Sequence, residues 1–256
     1  MIPIVCATVS ACSRQEATAE ARVRNTQATA LVPVPAPAKE PSYEIVTVQR
    51  PESIDDYHNL YRAAYDLCAR LRKSKSLPPP APLVPPSPGY VIQRDTYVGD
   101  GAATYVKNEY FTYKVASEGE TPTCESGERK AWALEVTRDR KVYRSGAGED
   151  GTAYTNPPDE APPPEQGRDD PYTERKMVKG FAVKCMKLGP DTDNLLTEQC
   201  AVDLQPGTLY QGRRPIVVAG RVTIVEKLQG AILTEPMVIK VGHHVDKRLF
   251  EAARTP

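Results

Sequence analysis

Histidine is scarce in this 256-residue chain: His58, His243 and His244 are the full set. His243, His244 and Asp246 form a cluster with metal-ligand chemistry. Neighbours on an extended chain point to opposite faces, so the two imidazoles do not converge on one ion. Asp191, Thr192, Asp193 and Asn194 offer oxygens at alternating positions, as calcium needs, but the later bidentate acid of a helical calcium loop is missing. A serine nucleophile needs a Gly-x-Ser-x-Gly elbow or a placed base, and Ser145 before Gly146 reads as a turn residue instead. The run Gly146-Ala147-Gly148-Glu149-Asp150-Gly151 has the glycines of a phosphate loop, yet its acids repel phosphate and no strand-to-helix context surrounds it. General acid–base chemistry would need acids converging in a cleft, such as Glu109 facing Glu135. The sequence therefore assigns no catalytic residue, no metal ligand and no cofactor.

The charge balance narrows the partners. Lys plus Arg and Asp plus Glu each number 33, so no overall field draws the chain to nucleic acid. Basic residues at Arg138, Arg140, Lys141, Arg144, Arg213, Arg214, Arg221 and Lys227 give the strands charged edges, which discourages edge-to-edge pairing. No apolar run approaches the roughly 18 residues that cross a bilayer as a helix. One Trp and three Phe against thirteen Tyr imply a core of Val, Ile, Leu and half-buried tyrosine.

Met1 to Ala11 are almost wholly apolar or small, and the chain turns polar after Cys12. The run Val9-Ser10-Ala11-Cys12 resembles the lipobox of bacterial lipoproteins, over those four residues. The resemblance implies lipidation at Cys12, attachment to a membrane through that lipid, and a place in the bacterial cell envelope. Val9 and Ala11 also suit an ordinary small-x-small cleavage site, which would give a soluble periplasmic protein.

With Cys6 in the signal and Cys12 under the lipid, Cys68, Cys124, Cys185 and Cys200 remain. In an oxidising compartment four cysteines suggest two disulfides, with three connectivities open. Cys185 and Cys200 flank one polar loop, which makes their pairing the simplest and leaves Cys68 with Cys124. Four buried free thiols are the alternative. The chain has no C-x-x-C pair, which argues against redox exchange and structural zinc.

The elements fall in order. Residues 1–12 read as a truncated export signal, 13–42 as a flexible proline-rich tether, 43–77 as a strand and an amphipathic helix, 78–88 as a proline-rich linker, and 89–256 as a β-rich domain with a mobile proline-rich loop at 156–171. The helix spans 53–74. Ser53 caps it, Asp55 and Asp56 suit its dipole, its last turn is basic, and Ile54, Tyr57, Leu60, Tyr61, Ala64, Leu67, Cys68 and Leu71 recur at spacings of three and four. From Gly89, runs rich in Val, Ile, Thr and Tyr alternate, as in 103–115 and 130–144, and Gly-containing turns separate them. The fold class expected is mainly β with one N-terminal amphipathic helix, α+β, as an antiparallel sandwich or a small open barrel.

Function is read from address and surface. The leading expectation is a non-enzymatic envelope lipoprotein whose β-domain binds another envelope protein, through an edge strand or through aromatic residues around Tyr105, Tyr110 and Tyr113. The ladder Tyr57, Tyr61, Tyr65 offers either a stacking surface or a core edge. The alternatives are a small-ligand or glycan-binding module, which requires a concave pocket lined by tyrosines, and an enzyme without a recognisable motif.

Overall fold

The computed structural model describes residues 41–116, 123–162, 171–187, 196–204, 207–208, 210–211, 214–224 and 230–254. The export segment with Cys12, nearly all of the tether, the Asp191–Asn194 run, Arg213 and Lys227 lie outside them.

The strands are β1 (Tyr43–Pro51), β2 (Gln93–Gly99), β3 (Thr104–Ala116), β4 (Glu125–Arg138), β5 (Lys141–Ala147), β6 (Ala153–Glu160), β7 (Glu174–Val178), β8 (Phe181–Lys187), β9 (Leu196–Leu204), β10 (Gly207–Thr208), β11 (Tyr210–Gln211), β12 (Arg214–Pro215), β13 (Val217–Ile224) and β14 (Gly230–Val241). One helix, α1 (Ile54–Ser74), follows β1, and a 3-10 helix at Lys247–Arg254 ends the described chain. The protein is mainly β. Eleven strands form one open antiparallel sheet in the order β6-β5-β4-β3-β2-β1-β14-β13-β9-β8-β7, β10 adds to β9, and β11 and β12 form a separate ribbon. The expectation was an antiparallel sandwich or a small open barrel; one continuous open sheet is found, because β1 pairs with both β2 and β14 and so joins the two halves.

A tight turn divides the 130–144 run, which reads as a single strand, and another links β7 to β8. Asp139 and Arg140 both adopt positive φ, 49° and 59°, and close the β4–β5 hairpin between Arg138 and Lys141. Lys179 and Gly180, at 50° and 83°, do the same between β7 and β8. Two left-handed residues in succession match the twist of the flanking strands.

The sheet bends sharply at its centre. Register shifts occur between Val46 and Thr47 of β1 against β14, and between Val217 and Ala219 of β13 against β9. Such irregularities increase local twist and bend the strand. The Cα atoms of β1 and β13, which flank β14, come within 8 Å of each other. Strands two places apart in a flat sheet lie roughly 9.5 Å apart. The central core gathers Tyr43 and Ile45 of β1 with Val183 and Cys185 of β8, Cys200 and Val202 of β9, and Val218 of β13. A second core packs Leu134 and Val136 of β4 against Val245 and Phe250 at the C-terminal end.

Helix α1 starts as its cap dictates: the Ser53 hydroxyl accepts from the Asp56 amide at 3.2 Å, with Asp55 and Asp56 in the first turn. Its buried face carries Tyr57 and Cys68, and Tyr57 and Tyr61 pack with Tyr90 and Tyr113. The proline segment 78–88 runs back along the helix as a strap. Arg72 Nε donates to Pro78 O at 2.8 Å, Tyr65 OH donates to Ala81 O at 2.5 Å, and Tyr113 OH donates to Val84 O. The spacing follows from geometry. Seven helical residues from Arg72 back to Tyr65 rise about 10.5 Å, while three extended residues from Pro78 to Ala81 cover about 9 Å. Proline's fixed φ holds the strap extended without ladder hydrogen bonds.

Disulfides Cys68–Cys124 and Cys185–Cys200 complete the frame, with Cα separations of 5.7 Å and 4.0 Å. The first fastens α1 to the segment leading into β4, and the second joins directly opposed residues of β8 and β9. They point to an oxidising, extracytoplasmic compartment. No helix among the described residues is long and apolar enough to cross a membrane.

Candidate functional site

Register places a polar row across the middle of the sheet. Tyr154 of β6 pairs with Gly146 of β5, Gly146 with Ala133 of β4, Ala133 with Asn108 of β3, Asn108 with Asp95 of β2, and Asp95 with Thr47 of β1. Directly paired residues share a face, so these side chains line up on one side. The adjacent row on that face runs Tyr110, Gln93, Gln49, Thr234, Gly220 and Gln199, across β3, β2, β1, β14, β13 and β9.

The central bend turns this face into a hollow. Gln49, Asp95, Tyr97, Gln199, Val217, Gly220, Val222, Ile232 and Thr234 line a cavity of about 250 Å³. Asp95 and Gln199 lie on strands separated by three others, so a cavity of that size touches both only because the sheet curls. Gly220 forms part of the floor: a Cβ there would stand 3.0 Å from the carbonyl oxygen of Glu198.

Asp95 is the chemical centre of the hollow. It is buried, and its Oδ1 accepts from Gln93 Nε2 at 2.7 Å and Asn108 Nδ2 at 2.6 Å. Burial raises its pKa above the usual aspartate value, against the pull of these two amide donors. The cavity lining contains no Lys, Arg or His to balance the carboxylate. The Thr47 hydroxyl oxygen beside it is buried without a hydrogen-bond partner. Tyr97 on the same strand is pushed well above the ordinary tyrosine pKa, first by burial and then by Asp95, and so stays a neutral hydroxyl. At the rim Tyr110 is partly exposed, and its pKa rises through burial and the nearby Asp95 and Tyr154. The Tyr172 hydroxyl lies 3.3 Å from Gln199 Oε1 and donates to it. This is an arrangement for holding polar groups: the lining offers a carboxyl, two amides and hydroxyls together with the apolar side chains of Val217, Val222 and Ile232.

The expected interaction residues separate. Tyr110 borders the hollow. Tyr105 packs against the C-terminal core. Tyr57, Tyr61 and Tyr113 form a packed cluster that seats the helix, and Tyr65 is half-buried under the strap. Asp95, Gln49 and Gln199 had no local motif to announce them. Their signal is alternation on strands whose register only the folded sheet supplies.

The remaining candidates for chemistry are committed elsewhere. Glu109 pairs in register with Trp132 rather than Glu135, and its carboxylate meets Lys107, while Glu135 meets Arg144. Asp246 is held by Arg248, which pulls its pKa down to about 2, and His243 lies 3.4 Å from Glu44. Ligand-type atoms of Cys185, Glu198 and Cys200 lie within 4.8 Å of one another, but the two sulfurs are bonded to each other and offer no thiolate. Gly148 to Gly151 turn the chain from β5 into β6, with Gly151 at φ 81°.

No family model, no curated protein and no solved structure matches this chain.

Proposed function

We propose that the chain is a non-catalytic binding protein of the bacterial envelope, anchored by a lipid on Cys12, whose curved sheet holds a small polar ligand. One observation carries the binding part: a hollow built from five strands, with buried Asp95 in its wall and no countercharge in its lining. A buried carboxylate without a cation lowers stability, and groups arranged at such a penalty concentrate at functional sites. The anchor rests on Val9-Ser10-Ala11-Cys12, and the two disulfides suit the same compartment.

Each part has its own test. Expression in a diderm bacterium, followed by intact-mass and detergent-partition analysis, gives an acylated N-terminus at Cys12 that Cys12→Ala abolishes. An unmodified chain in the aqueous phase removes the anchor. For the site, amide NMR spectra recorded against a library of small polar compounds show saturable shifts at Gln49, Asp95, Gln199 and Gly220. Shifts confined to other surfaces refute the site.

A second reading, recognition of another envelope protein, is favoured by a different surface. Leu67 and Leu71, four residues apart on α1, are 56% and 45% exposed. Exposed apolar side chains of this size mark contact surfaces when they cluster. Crosslinking in whole cells, compared with Leu67→Ser and Leu71→Ser, separates this reading from the first.

A further inference from the structure

We infer that the hollow takes a neutral, polyhydroxylated ring of the sugar class, an inference that rests on the hollow being a binding site. Charge sets the first limit. With no basic side chain in the lining and one carboxyl, an anionic ligand would face like charge in a water-poor site. The groups that remain are two-way hydrogen bonders: the amides of Gln49 and Gln199 and the hydroxyls of Thr234 and Tyr97 each donate and accept. Sugar hydroxyls also do both. Gln93 and Asn108 both donate to Asp95 Oδ1, and Oδ2 has no donor among the described residues, which suits it to accept from a ligand hydroxyl.

Shape sets the second limit. Val217, Val222 and Ile232 add apolar surface to the lining beside its amides, which suits a ring with C–H faces and a hydroxylated edge. The volume of about 250 Å³ corresponds to about eight waters. That suits one ring, and is small for larger organic ligands. Next to the cavity the same face continues over Asn108, Ala133 and Gly146, whose side chains are short or absent, to Tyr154 and Tyr110. Tyr154 lies directly over Gly146, where a Cβ would come within 2.4 Å of its hydroxyl. These two partly exposed tyrosines offer stacking faces for a second ring, so a disaccharide binds more tightly than its end unit.

The test is titration calorimetry on the disulfide-intact chain with glucose, galactose, N-acetylglucosamine and their disaccharides as neutral probes. Glucosamine serves as the cationic probe and glucuronate as the anionic one. The expected result is saturable binding of at least one neutral probe, weakened tenfold or more by Asp95→Ala and by Gln199→Ala. Tyr110→Ala, at a partly exposed position, weakens the disaccharide more than the monosaccharide, and Met177→Ser on the far edge leaves affinity unchanged. Circular dichroism of each variant separates lost binding from lost folding. Tighter binding of a charged probe, an amino acid or a nucleoside, with the same dependence on Gln199 and Tyr110, overturns the sugar assignment and keeps the site. Binding of no probe, together with an NMR library screen silent at the hollow, overturns both.

Discussion

Thr47 of β1 and Asp95 of β2 stand directly opposite each other, both buried, and share no hydrogen bond. The folded pKa of Asp95 lies above its ordinary 3.8, so the folded protein holds that proton more tightly than the unfolded chain. Stability from this group is fully present below about pH 3.8, falls as pH rises through the raised value, and stays reduced at neutral pH. Asp95→Asn keeps an oxygen for Gln93 and Asn108 and removes the charge. It raises unfolding free energy by about 1 kcal/mol at neutral pH, and the gain disappears in acid. Urea unfolding at several pH values checks this, and an Asn variant less stable than the parent at neutral pH contradicts it.

The tyrosine cluster under α1 titrates late. Burial is the largest cause at Tyr57 and Tyr90, both pushed up to about 12, and it drives Tyr61 higher still. These raised values mean stability is intact below pH 10 and declines as pH rises toward 12. Ultraviolet titration of tyrosinate should show a late group of residues ionising together with loss of helix signal. Ionisation of every tyrosine near pH 10 in the folded protein would contradict the packing.

Reducing the two disulfides has unequal effects. Cys68–Cys124 spans 56 residues and Cys185–Cys200 spans 15. In the chain-entropy model these closures contribute about 4 and about 3 kcal/mol. The paired Cys68→Ala, Cys124→Ala variant therefore loses more stability than the Cys185→Ala, Cys200→Ala variant. Limited proteolysis of the first should also cut within α1 or the strap.

Gly146 tolerates no side chain. A Cβ there would stand 2.5 Å from the backbone oxygen of Trp132 as well as against Tyr154. Gly146→Ala shifts Tyr154 and strains the β4–β5 pairing, lowering stability by about 1–3 kcal/mol. Gly89→Ala, where a Cβ meets nothing within 4 Å, is the matched control. Equal thermal midpoints for the two variants would contradict this account.

Much of the frame was legible because its causes are local. The Ser53 cap, the three-and-four spacing of apolar residues and the Gly148–Gly151 turn each act within a few residues. The tyrosine ladder was also visible, but its role was set by Tyr90 and Tyr113 from outside the helix. The docking of the 78–88 strap was not legible, because proline content reports conformation rather than contacts. Asp139-Arg140 hid a hairpin, since that dipeptide lacks the Asn or Gly that usually marks a left-handed turn. The hollow was not legible at all. Asp95, Thr47 and Gln199 meet through the register of five strands and a central bend, and no spacing along the chain encodes that meeting.

Pro157 and Pro158 fall within β6, the strand that ends one side of the sheet. Neither carries an N–H, and proline in an edge strand weakens its pairing with a foreign strand. The opposite margin is the five-residue β7, whose first three residues are Glu174, Arg175 and Lys176. An open sheet this wide would otherwise invite runaway stacking into fibrils, and its composition at both margins works against that fate.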